Sequence, residues 1–293
     1  MAEQPSISVP GSSDPGAGAP LMGFWGSSRI SARTALVAAA AAACLIFTLG
    51  SGQFGLPTLP GFDGSILAQP SSIVALLCIA VMLAVSALVG TIIARNIHFD
   101  AGLFAASFGL IVISLHCGTI QSVLFETDGS QLTYVRLIFE LLIFAAFFAG
   151  IWLILCRMEG KPPLGPPDVK MLGNLTALLS QAVATGVVLM ILCQSEAKNQ
   201  CLASVGIASL IGTLLAYKYS PAEPSIWFWM GPLLTGVIGY ALAAMGQVSN
   251  LNIGLPTGTV AALARPLPLD YASVGIAGAI LGYWMSTANP AAE

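Results

Sequence analysis

The chain carries a succession of apolar runs, each close to bilayer thickness and each nearly free of charge, and that property narrows its possible folds more than any other. A helix needs about 20 predominantly apolar residues to cross the hydrocarbon core. Candidate spans read as Thr34 to Leu49, Ile73 to Ile93, Leu103 to Phe125, Leu137 to Cys156, Met171 to Gln194, Cys201 to Tyr217, Ile226 to Gln247 and Tyr271 to Ser286. Lipid supplies no hydrogen-bond partner, so only helices and closed barrels cross it. The runs are continuous rather than alternating, and the expectation is an all-α integral membrane protein with about eight transmembrane helices. Composition agrees, with 56% hydrophobic and 8% charged residues against about 25% charged in a soluble domain. Lys and Arg total 10 against 13 Asp and Glu, with no basic block, which excludes a nucleic-acid footprint. The lipid bilayer is the expected partner, with a homo-oligomer or a larger membrane complex as the assemblies to consider.

Basic residues collect on the cytoplasmic side of membrane proteins. With the N-terminus inside, Arg29, Arg33, Arg95, Arg157, Lys161, Lys170 and Lys218 fall on one side and only Arg136, Lys198 and Arg265 on the other. That asymmetry predicts both termini inside and an even number of crossings. The first span follows a long Pro- and Ser-containing segment and reads as a membrane helix rather than a secretory signal. A multi-pass protein of a cell membrane is expected, in a bacterial cytoplasmic membrane.

Four regions follow from composition. Residues 1–28 are rich in Pro, Ser, Gly and Ala and read as a flexible tail. Residues 29–159 form an N-terminal set of four helices. Residues 160–170, GKPPLGPPDVK, are a stiff cytoplasmic linker, because clustered Pro favours extended backbone. Residues 171–293 form a second membrane set. Within that set the word ASVGIA occurs twice, at Ala203 to Ala208 and Ala272 to Ala277. It opens the sixth and the eighth span, which predicts a tandem duplication of a helical hairpin, the copies related by an approximate twofold axis along the membrane normal. Small residues at spacing four let helix backbones approach closely in lipid. Ser204, Ala208 and Gly212 form one such ridge, and Gly275, Gly278 and Gly282 lie on the other. The loop before the second copy, Val248 to Asp270, is interrupted by Gly and Pro and reads as a packed cap or re-entrant segment.

Ionisable side chains inside spans are few, and each is a functional hypothesis by default. Glu140 lies one turn after Arg136, and His116 falls at a comparable depth in the preceding span. With Gln121 they form a candidate polar cluster. Its functional reading is a proton relay or polar binding site. Its structural reading, the preferred one, is an internal salt bridge with Arg136 reaching toward the interface. Gln181 and Tyr240 fall at matching points of the two hairpins and are candidates to line a central axis. Cys193 and Cys201 bracket QSEAKNQ on the outer side and are a candidate disulfide, two buried thiols being the alternative. No CxxC pair and no His at metal spacing occur, so no metal site and no cofactor are expected. No nucleophile–base spacing or nucleotide motif occurs either, and catalysis is the least favoured class. The leading expectation is a small-solute or ion translocator. The alternative is a structural or assembly subunit of a membrane complex.

Overall fold

A computed structural model of the chain describes residues 72–96, 99–127, 131–164, 171–222, 225–245 and 260–288. The tail and the first candidate span lie outside the described residues. The described chain is helical throughout, in the order α1 (Ser72–Asn96), α2 (Phe99–His116), α3 (Ile120–Glu126), α4 (Gln131–Glu159), α5 (Met171–Leu192), α6 (Lys198–Tyr219) and α7 (Ile226–Met245). A 3-10 turn (Ala262–Ala264), a single helical turn α8 (Pro268–Asp270), a π-helical segment (Tyr271–Gly275) and α9 (Ile276–Ala288) complete it. Among the described residues α4, α5, α6 and α7 are each long and apolar enough to cross a membrane, which supports association with a bilayer.

The helices sort their faces as lipid requires. On α5, Leu175, Leu179, Val183 and Val187 are exposed at spacing four, while Ala177, Gln181, Thr185 and Leu189 face inward. On α4, Leu132, Phe139 and Ile143 are exposed, and Leu137, Leu141, Phe144 and Phe148 are buried. An exposed apolar stripe of this size on a soluble protein would drive association; against acyl chains it is the ordinary outer surface.

Two ends of the bundle are distinguished by their contacts. At one end, which we call the Asp100 end, Ser225 at the foot of α7 donates to Asp100 Oδ1 at 2.6 Å. Trp229 packs against Trp152 and Phe148 there, and Tyr217, Phe228 and Tyr283 form a second aromatic group. At the other, the Asp270 end, the α5–α6 connection meets the segment before α9. The helices α5 and α6 are antiparallel, with Gln181 Nε2 donating to Thr213 Oγ1 at 2.9 Å in their middle. α9 runs alongside α6, and here the glycines matter: a side chain at Gly278 would strike the backbone of Gly206, and one at Gly282 would strike Leu210 and Thr213.

The two ASVGIA words lie directly against each other. A Cβ built on Gly206 would meet Val274, 3.6 Å away, and one on Gly275 would meet Val205 at 3.3 Å. The contact is reciprocal: the glycine of each word faces the valine of the other. The backbones nevertheless differ. The first word lies in regular α6, whereas the second begins in the π segment.

The third span departs from a single helix. α2 stops at His116, the Cys117 amide is shared between the Ile113 and Ser114 carbonyls, and the chain restarts as the short α3. Gly118 is a poor helix residue, and Thr119 and Ser122 bond locally: Ser122 Oγ donates to the Thr119 carbonyl at 2.7 Å and accepts from its amide at 3.1 Å. Local side-chain bonds of this type compete with helix continuation. The part of the final loop that is described, from Val260 onward, is packed: Leu263, Ala264, Leu267 and Leu269 are buried.

Candidate functional site

Three interruptions of regular helix meet at the Asp270 end: the break after α2, the α5–α6 connection, and the segment from Ala262 to Gly275. Between them lies a buried ion pair. Lys198 Nζ stands 2.6 Å from Asp270 Oδ1, and their side chains are 13% and 1% exposed. Each partner is placed by its element. Lys198 opens α6, where the positive end of the helix dipole disfavours a cation, so the pairing with Asp270 compensates a charge in an adverse position. Asp270 closes the turn begun by Pro268 and accepts the Leu267 amide on Oδ2 at 2.8 Å. Its Oδ1 also accepts from the Ser114 hydroxyl on α2. The carboxylate is thereby held by groups from three elements.

A second cation closes the opposite half of this end. Arg265 donates from Nε to the Val260 carbonyl at 3.0 Å and from a terminal nitrogen to the Cys193 carbonyl. The final carbonyls of a helix have no partner within it, and the α5 terminus is capped from several directions. Gln194 Nε2 donates to Met190 and Ile191, Gln200 Nε2 to Leu192, and Arg265 to Cys193. Thus two of the three basic residues that run against the charge asymmetry of the sequence are tied into one polar assembly.

Glu196, in the same connection, is half-buried and shares a hydrogen bond with Gln121. Burial pushes its carboxyl above the usual range, while Arg265 and the Gln121 bond pull the other way. Cys193 and Cys201 are buried free thiols with sulfurs 3.7 Å apart. Tyr240 donates to the Pro266 carbonyl and Tyr271 to the Leu263 carbonyl, anchoring the segment at two points.

Deeper in the bundle lies a second polar group without charge. Gln181, Thr185, Ser209 and Thr213 are all fully buried on the facing sides of α5 and α6. Thr213 donates to the Ser209 carbonyl at 2.8 Å, while Gln181 Oε1, Thr185 Oγ1 and Ser209 Oγ have no hydrogen-bond partner among the described residues. Gly231 and Gly212 leave room for the Gln181 and Thr185 side chains. Pro232, inside α7, removes a backbone donor at the same level.

The members of the cluster anticipated from sequence are placed one by one. Glu140, on α4, is 3% exposed and is engaged rather than free. It lies within electrostatic reach of Cys117, as do Lys198 and Asp270. Gln121 turns to Glu196, Arg136 is half-buried, and the His116 side chain lies outside the described residues. Gln181 and Tyr240 are both buried but at different levels: Gln181 packs on Gly231, nine positions before Tyr240 on α7. Ser204, Ala208, Gly212, Gly275, Gly278 and Gly282 all lie at buried helix seams.

The residues that sequence reading passed over are Asp270 and Lys198. A signal existed for Asp270. It is an acid at the third position of a Pro-led turn, directly before an otherwise uncharged apolar run. Nothing local marks Lys198 as its partner, since the two are far apart in sequence. The fold and this site define a class, a helical bundle with membrane-length apolar helices and a buried charge pair at one end. No family model matches the chain, and neither the curated proteins nor the solved structures contain a match.

Proposed function

We propose that this chain is a multi-pass protein of a bacterial cytoplasmic membrane that translocates a small solute or ion, with the Lys198–Asp270 pair closing one end of its path. The observation that carries the reading is the ion pair itself, buried where three helical interruptions converge. Charges in a bilayer are costly and cluster where substrates or ions pass, and irregular backbone at depth is tolerated where it lines protein or a cavity. π segments, such as Tyr271–Gly275, recur at functional sites. The uncharged oxygens of Gln181, Thr185 and Ser209 would serve as a second station toward the middle of the bundle. The reciprocal packing of the two ASVGIA words supports a duplicated hairpin as the scaffold, in a chain of about eight crossings with both ends in the cytoplasm.

The test uses the full chain in proteoliposomes. Solute-induced swelling with sugars and amino acids, and ion-sensitive dyes for monovalent cations and protons, report flux. Lys198→Met and Asp270→Asn should each change flux at least tenfold, with Glu140→Gln and Gln181→Ala as further probes of the path. Vesicles tight to every probe would count against translocation.

A second reading has its own support. Trp152, Trp229, Tyr240, Tyr271 and several Phe residues are fully buried in the centre of the bundle, a filled interior suited to a structural or assembly subunit of a membrane complex. Tight vesicles together with co-purification of a fixed partner, or a stable homo-oligomer, would favour it.

A further inference from the structure

We propose that Cys193 and Cys201 form a modification site, a dithiol that becomes an intramolecular disulfide by exchange with a small disulfide and closes the loop that carries Lys198. Both thiols are buried and free. Their sulfurs stand 3.7 Å apart and converge on one group, the Ser195 carbonyl, at 3.8 and 3.5 Å. A disulfide requires a separation of about 2.05 Å, so bond formation asks the two sulfurs to close the remaining gap. The pair bridges the C-terminus of α5 and the first turn of α6, with Gln194 and Ala197 exposed between them, so loop opening is a short route for a small reagent.

The chemistry balances without any other group. The Cys193 thiol loses its proton and attacks one sulfur of the small disulfide, releasing one thiolate and leaving a mixed disulfide. The Cys201 thiolate then attacks the Cys193 sulfur and expels the second thiolate. Two protein thiols are oxidised, one small disulfide is reduced, and the two protons pass to the released thiolates.

The consequence follows from what the loop holds. Lys198 lies between the two cysteines, and the Cys193 carbonyl is the acceptor for Arg265. A bridge would fix the start of α6 to the end of α5 and keep both cations in place against Asp270 and the α5 terminus. The bond formation itself does not depend on the transport reading, so the two fail separately.

The experiment takes the full chain, purified reduced in detergent and freed of reductant, and exposes it to oxidised glutathione or dithiodipyridine. The expected product has lost two hydrogens in mass and retains no adduct. Peptide mapping should locate the bridge between Cys193 and Cys201, and the oxidised protein should melt at a higher temperature than the reduced one. Cys201→Ser should instead retain the probe on Cys193. Three results would overturn the proposal: a lasting adduct on Cys193 or Cys201 in the native sequence, a bridge that recruits Cys117 or another cysteine in their place, or two thiols that stay free under conditions that oxidise the unfolded chain.

Discussion

At the residue scale, the energetics of the Asp270 end centre on charges that cannot readily escape to solvent. Removing one member of a buried pair leaves the other uncompensated and typically costs about 3–5 kcal/mol. Lys198→Met and Asp270→Asn should therefore each lower stability by roughly that amount, while the double variant should lose clearly less than the sum. Unfolding in detergent, followed by helical signal against denaturant, measures the coupling; additive losses would contradict the pairing. Glu196 offers a pH test. Its carboxyl is raised in the folded state from an ordinary value of 4.5, mainly by burial. A raised acid contributes stability below its unfolded value, and that contribution is lost as pH rises through the folded value. The melting temperature should thus fall as pH climbs above 4.5, and Glu196→Gln should flatten that fall. An unchanged slope in the variant would assign the pH response to another group.

At the element scale, helix seams rather than hydrophobic burial decide the arrangement, because lipid is as apolar as the helix faces. Gly278 faces the Gly206 backbone, whereas a Cβ on Gly150 of α4 would meet nothing within 4 Å among the described residues. Gly278→Ala should cost about 1–3 kcal/mol through overpacking. Gly150→Ala should be neutral or stabilise by up to about 1 kcal/mol, since Ala is the better helix residue. Equal effects from the two substitutions, read from thermal melts, would remove the seam as the cause. The sequence already showed which glycines lie at spacing four in the ASVGIA regions, and these are packed against a neighbouring helix. What spacing alone left open is the identity of that neighbour, since a ridge fits any smooth helix face. The break after α2 was also hidden: His116–Cys117–Gly118 lies inside an apolar run, and only the local bonds of Thr119 and Ser122 expose it.

At the scale of the whole molecule, α5 is long and apolar enough to cross a membrane, and that gives a direct prediction. Lys161 and Gln194 flank that helix and are both exposed. In a background lacking native cysteines, Lys161→Cys and Gln194→Cys should react with a membrane-impermeant maleimide from opposite faces of intact vesicles. The charge asymmetry of the sequence predicts that Lys161 is the one labelled from the cytoplasmic face. Labelling of both from one side would mean that α5 does not cross.

The amino-acid sequence by itself pointed to helices and to association with a bilayer, because run length and charge scarcity are local quantities. It also marked small-residue ridges and the paired cysteines, whose spacing in the chain is short. Only the tertiary structure decided that Lys198 meets Asp270, that Arg265 reaches the Cys193 carbonyl, and that the two ASVGIA words face each other. Those pairings join residues brought together by the packing of different helices, and a one-dimensional pattern carries no term for which helix becomes whose neighbour.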